Sequence, residues 1–175
     1  MKKTSHPLAE LAREAITKYI TGGETISPPV AFPKEFLNKK AGVFVSIHSN
    51  GNLRGCIGTY GPTKANVAEE TIANAISAAA EDIRFEPITA AELPVLNYDI
   101  YVLDEPVLIK DISELDVNKY GIIVAGLLSG KRGLLLPGLE GIESVEEQIY
   151  IAAQKAGIDL KKEKISIYRF TADKY

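Results

Sequence analysis

The sequence predicts an α+β protein, a mostly antiparallel mixed sheet flanked by helices. Three observations carry that expectation. Small and apolar residues recur in helical patterns near residues 8–20, 64–81 and 144–156. Short alternating runs rich in Val, Ile and Tyr lie between and after them, joined by turns containing glycine, asparagine or proline. Hairpins outnumber strand–helix–strand units, which disfavours a doubly wound sheet. At 175 residues the chain reads as one domain over 1–175, with room for a smaller second lobe and no clear linker.

The elements follow in order. Leu8, Leu11, Ala12, Ala15, Ile16, Tyr19 and Ile20 form the apolar stripe of an amphipathic helix that Gly22-Gly23 ends. Pro28, Pro29 and Pro33 exclude regular structure from the next segment, which reads as an extended connector packed by Val30 and Phe32. Residues 42–48 and 53–59 read as a hairpin around Ser49-Asn50-Gly51. An alanine-rich helix follows over 64–81, with small residues on several faces, as close packing on a sheet requires. Thr89-Ala90-Ala91-Glu92 has the form of a capping box but opens at most one turn before Pro94. Strands are expected over 97–103, 107–109, 120–125, 134–136 and 165–170. Ser144-Val145-Glu146-Glu147 caps a helix that Gly157 stops.

In the hairpin, a three-residue loop pairing His48 with Asn52 would put Leu53 and Ile57 on the face of Val43, Val45 and Ile47. Arg54 and Cys56 would then share the other face with Phe44, Ser46 and His48. A two-residue turn reverses this, so the apolar match favours the three-residue loop.

Composition excludes several function classes. Net charge is −3 and no basic stripe stands out, which disfavours nucleic-acid binding on electrostatic grounds. One cysteine, Cys56, permits no internal disulfide, and with only His6 and His48 beside it no Cys/His zinc site can be assembled. No metal and no cofactor are expected. The polar N-terminus, Met1 to Pro7, does not read as a signal peptide, and the apolar stretch 122–136 is interrupted by glycines, Ser129, Lys131 and Arg132. The expected location is the cytoplasm, with no membrane association. Gly126 to Lys131 looks like a phosphate loop, but it is one residue short and leads into a strand, so it reads as a hairpin turn.

Residues 52–60, Asn-Leu-Arg-Gly-Cys-Ile-Gly-Thr-Tyr, concentrate the chemistry. Gly55 and Gly58 flank Cys56 in a strand, where glycine marks a close approach of backbone or ligand. Arg54, two positions before the cysteine, supplies a guanidinium that favours thiolate and suits an anionic group. The competing reading is a buried structural cysteine with glycines that relieve crowding.

Leu53 to Tyr60 is very similar to the signature octapeptide of the AMMECR domain family, whose prokaryotic members are called AmmeMemoRadiSam system protein A. The resemblance continues through Ala79 to Pro87, with Asp82 before the Arg84-Phe85 pair, then Glu92-Leu93, Lys119 to Val124, Gly133 to Pro137 and Ala156-Gly157-Ile158. It spans roughly residues 7–171. The resemblance implies two lobes with a cleft between them, and partners in a Memo-type protein and a radical S-adenosylmethionine enzyme. It supplies no reaction. The chain departs from the pattern at Gly138 after Pro137, where members often carry Gln, and in having no tryptophan.

Three functions follow as alternatives. One is an accessory subunit that binds an anionic small molecule or peptide for a partner, with Arg54, Gly55, Cys56, Gly58, Tyr60, Asp82 and Arg84 at the site. The second is a thiol enzyme with Cys56 as nucleophile, His48 as base, and Asp82 or Glu81 orienting it. The third is a regulatory or nucleic-acid-binding module.

Overall fold

The computed structural model describes residues 6–175; the segment 1–5, the greater part of the stretch read as lacking a signal peptide, lies outside the described residues. Along the chain run α1 (Pro7–Gly22), α2 (Lys34–Asn38), β1 (Val43–Ser49), β2 (Asn52–Gly58), α3 (Val67–Ala80), β3 (Leu96–Leu103), β4 (Val107–Leu108), β5 (Gly121–Gly126), β6 (Arg132–Leu135), α4 (Val145–Ala156), β7 (Ile165–Phe170) and β8 (Ala172–Lys174). The class is α+β, as expected: four α-helices and two antiparallel four-stranded sheets among the described residues. No helix among these residues is long and apolar enough to cross a membrane. Two compact units result: Met1–Leu103 with Asp173–Tyr175, and Asp104–Ala172.

The first unit holds the sheet β2-β1-β3-β8. Its core joins Val43, Val45 and Ile47 of β1 and Tyr98, Ile100 and Val102 of β3 to Leu8, Ala12 and Ile16 of α1 and to Val67, Ala75, Ala78 and Ala79 of α3. The alanines allow α3 to approach closely: a Cβ at Gly55 would collide with the carbonyl of Ala78. Gly55 is therefore buried against α3, and the space that its missing side chain leaves holds helix backbone. Glu70, also in α3 and buried, accepts hydrogen bonds from the Thr59 and Thr63 hydroxyls and from the amides of Thr63 and Lys64. That carboxylate ties the loop after β2 to the helix.

The connector before β1 differs from its expectation. Val30 is fully exposed and packs nothing, whereas Phe32 does join the core. Pro33 then serves as N-cap of the short helix α2, whose Phe36 is buried. Residues 27–33 hold no helix or strand, as expected, and the helix starts directly after the last proline.

The β1–β2 hairpin corrects the expected register. Ser49 pairs with Asn52, and Asn50 (φ 51°) and Gly51 (φ 82°) form a two-residue turn with both central residues left-handed. His48 faces Leu53, but Ile47 faces Gly55, so Arg54 is an extra residue in β2. Beyond that bulge Ser46 pairs with Cys56 and Val45 with Ile57. Ile57 thus lies on the apolar face and Cys56 on the face of Ser46, as the apolar match requires. Leu53 does not join the core and is exposed.

The second unit holds β4-β7-β5-β6, with α4 packed on β5 and β6. Ser144 caps α4 by accepting from the Glu147 amide, and Gly157 (φ 64°) closes it. Residues 126–131 form the β5–β6 turn. The Glu163 carboxylate accepts from the amides of Leu128 and Ser129, so this chain's own acid fills the loop that superficially suggests a phosphate site.

Candidate functional site

The residues singled out in the sequence lie on β1, on β2 and just beyond it, and in the segment that follows α3, all within the first unit; Cys56, Asp82 and Arg84 come together. β2 is an edge strand. The Cys56 amide donates to Asp82 Oδ2 at 2.8 Å, and Arg84 Nη2 donates to the Cys56 carbonyl at 3.2 Å. Both backbone groups of Cys56 therefore point away from β1. Ser46 and Cys56 form a non-hydrogen-bonded pair, in which side chains stand close. The Ser46 hydroxyl indeed donates to Cys56 Sγ at 3.2 Å.

Asp82 and Arg84 act as a unit. Arg84 Nε and Nη2 donate to the two oxygens of Asp82 at 2.9 and 2.7 Å. Their shared turn is closed by the Phe85 amide donating to the Asp82 carbonyl. Asp82 is buried, whereas the Arg84 side chain is about half exposed (52%). Hydrogen bonds from Arg84, aided by those from the Cys56 and Arg84 amides, hold the Asp82 carboxyl down to about 2, against the opposing pull of burial. This fork meets the strand edge as a neighbouring strand would, offering one acceptor and one donor.

Arg54 is held elsewhere. Its Nε and Nη2 donate to Glu92 at 2.7 and 3.3 Å, and Nη1 donates to the Glu86 carbonyl at 2.9 Å. Every nitrogen of the guanidinium is engaged, and the carboxylate in its fork is the chain's own. Glu92 also accepts from the amide and hydroxyl of Thr89, which is one half of the expected capping box. Arg54 is the first cause that lowers the Glu92 carboxyl to about 2, and the Thr89 amide is the second.

His48 lies on β1 with Nδ1 3.7 Å from Asp99 Oδ2, and Lys174 Nζ reaches the same oxygen at 3.0 Å. The carboxylate beside the histidine is thus Asp99, while Asp82 is committed to Arg84 and the Cys56 amide. Gly58 faces Phe44, and a Cβ there would overlap the Phe44 ring. Tyr60 is exposed beyond the strand end. Among the described residues no group of three or more His, Cys, Asp or Glu side chains could hold a metal ion. A cavity of about 300 Å³ lies in the second unit, lined by Leu108–Ile112 and Ile165–Ile167, and none of the site residues borders it.

Sequence reasoning missed Ser46, Glu92 and the Glu86 carbonyl as partners. A strand arginine must have an acceptor, but Glu92 stands 38 residues away. Its only local signal was the capping-box pattern.

A protein of Thermotoga maritima is 46% identical over 171 residues, covering 97% of each chain. A protein of Clostridium acetobutylicum is 45% identical over 175 residues, and there the match covers 99% of this chain but 36% of the longer relative. The crystal structure of an uncharacterized protein from Pyrococcus horikoshii superposes with a TM-score of 0.86 at 34% identity, over 95% of this chain and 88% of that one. The AMMECR1 family profile matches residues 9–175, and the chain belongs to that family.

Proposed function

We propose that this chain is a binding subunit that takes an anionic group of a small molecule or peptide on the outer edge of β2 and serves a partner protein. The observation that carries the reading is a pair of donors on that edge. Because Cys56 turns its amide outward to Asp82, Gly58, two residues on, turns its amide outward as well. The Arg84 guanidinium already sits at the Cys56 carbonyl beside it. Nε and Nη2 of Arg84 are engaged, which leaves Nη1 to the half-exposed side. A carboxylate or phosphate oxygen between the Gly58 amide and Arg84 gains charge-assisted hydrogen bonds. The Phe44 ring fills the side-chain position of Gly58, so an anion would approach along the outer edge of the strand.

In this reading Asp82 aims Arg84, and Cys56 lines the site without attacking. Arg54, clasped by Glu92, is a positioning residue that fixes the bulge. Thiol catalysis has less support, since Cys56 Sγ accepts from Ser46 and His48 is drawn to Asp99. The partners it would serve are those the family resemblance implies, a Memo-type protein and a radical S-adenosylmethionine enzyme.

Titration of the isotopically labelled protein with inorganic phosphate and with acetate tests the reading. The Gly58 amide proton should move downfield with at least one of them in the wild type and stay put in Arg84→Gln. A Gly58 resonance that ignores both anions sinks the proposal. Arg84→Lys, which retains the charge, should keep a weakened response.

A further inference from the structure

The β5–β6 turn displays two leucines that the fold makes no use of. Leu127 is 59% exposed and Leu128 is 82% exposed. They are not there through looseness. The Leu127 amide donates to the Lys164 carbonyl, those of Leu128 and Ser129 to Glu163, that of Gly130 to the Gly126 carbonyl, and that of Lys131 to the Ser129 hydroxyl. Every amide from Leu127 to Lys131 is satisfied, so the backbone holds both side chains outward in the free protein. The segment that braces the turn adds a third leucine, Leu160, which is 39% exposed.

The same two segments, 126–132 and 157–164, carry five basic side chains, Lys131, Arg132, Lys161, Lys162 and Lys164, against Asp159 and Glu163. All five are exposed. This end of the second sheet thus has a local excess of three positive charges on a chain whose net charge is −3. Glu163 is moreover turned inward onto the loop amides.

We infer that this tip is a docking surface for an anionic lipid bilayer, with Leu127 and Leu128 entering the headgroup region and the basic residues of the two segments meeting the lipid charges. A rigid apolar tip on basic segments suits interfacial binding, which sums buried apolar area and attraction to anionic headgroups. A protein partner is the less favoured occupant. The tip has no aromatic anchor, leucine is under-represented among the residues that dominate protein interfaces, and the saturated backbone offers no free donor for specific recognition. The preformed shape also removes the ordering cost that a flexible loop would carry on binding.

Co-sedimentation of the full chain with vesicles tests this. Vesicles of phosphatidylcholine mixed with phosphatidylglycerol should pull the protein down, pure phosphatidylcholine should not, and added salt should release it. Leu127→Ser with Leu128→Ser, or Lys161→Glu with Lys164→Glu, should each weaken binding about tenfold or more. Both pairs are exposed, so an unchanged melting temperature confirms that the fold survives. No sedimentation with the anionic vesicles overturns the inference, as does sedimentation that the variants leave unchanged. A purified protein partner whose binding alone is lost in the leucine variant would assign the tip to a protein instead.

Discussion

Two carboxylates carry the electrostatics of the β2 edge, and both are held low. Asp82 falls from 3.8 to about 2 because Arg84 and the Cys56 amide bind its ionised form. Glu92 falls to about 2 under Arg54 and the Thr89 amide. A carboxyl whose folded pKa lies below its unfolded value is less protonated in the native state. Its contribution to stability is complete above the unfolded value and disappears as pH falls through the folded one. For the buried Asp82 the contribution is on the order of 2 kcal/mol. We therefore expect stability to drop between about pH 4 and about pH 2, with Asp82→Asn flattening that part of the profile. Urea midpoints measured across the window check this; an Asp82→Asn curve parallel to wild type there would refute the assignment. The same pairing explains what the sequence leaves open about Arg54. Charge in a glycine-flanked strand predicts an acceptor, but no local pattern says whether it comes from a ligand or from this chain. Glu92 answers from 38 residues away.

The hairpin and the helix behind it show which features of an element its sequence determines. Alternation of Val43, Val45, Ile47 and Ile57 requires that Cys56 sit on the Ser46 face, and it does. A three-residue loop and a two-residue turn followed by a bulge both supply the one extra residue that this parity needs. Hydrophobic pattern cannot place that residue. The left-handed preference of Asn50-Gly51 puts the tight turn at the tip and moves the extra residue to Arg54. By contrast, the helices α1 and α4 were legible because their periodicity and glycine ends are local. The short elements α2 and β8 were not, since five residues after a proline and three polar-flanked residues carry no period. Gly55 is where strand and helix meet. Replacement by alanine drives a Cβ into the Ala78 carbonyl, a backbone atom that cannot rotate away. Gly55→Ala should cost about 1–3 kcal/mol, the range for overpacking. Chemical denaturation would measure it, and a neutral result would mean that α3 can withdraw from the sheet freely.

At the scale of the whole molecule, the first unit is closed by residues from the far end of the chain. The second unit, Asp104–Ala172, is inserted between β3 and the closing strand β8. Ile100 and Tyr175 exchange both backbone hydrogen bonds, at 3.0 and 2.9 Å. The Tyr175 ring stacks on His6 with centroids 4.2 Å apart and meets Phe36 edge-on at 5.7 Å, and Lys174 pairs with Asp99. These contacts gather α1, α2 and β3 around the last three residues. Each aromatic contact is worth about 0.5–1.5 kcal/mol beyond the area it buries. Removal of Asp173–Tyr175 should therefore destabilise the first unit by about 2–4 kcal/mol, the sum of two ring contacts and the lost strand pairing. Hydrogen exchange gives the local reading. The Ile100 amide, which donates to the Tyr175 carbonyl, should lose protection in the truncated chain, since β3 becomes an edge at that position. The amides that β5 shares with β6 and β7 draw on other partners and should keep theirs. If Ile100 stays protected after truncation, the C-terminal strand is an ornament of the sheet and not its closure.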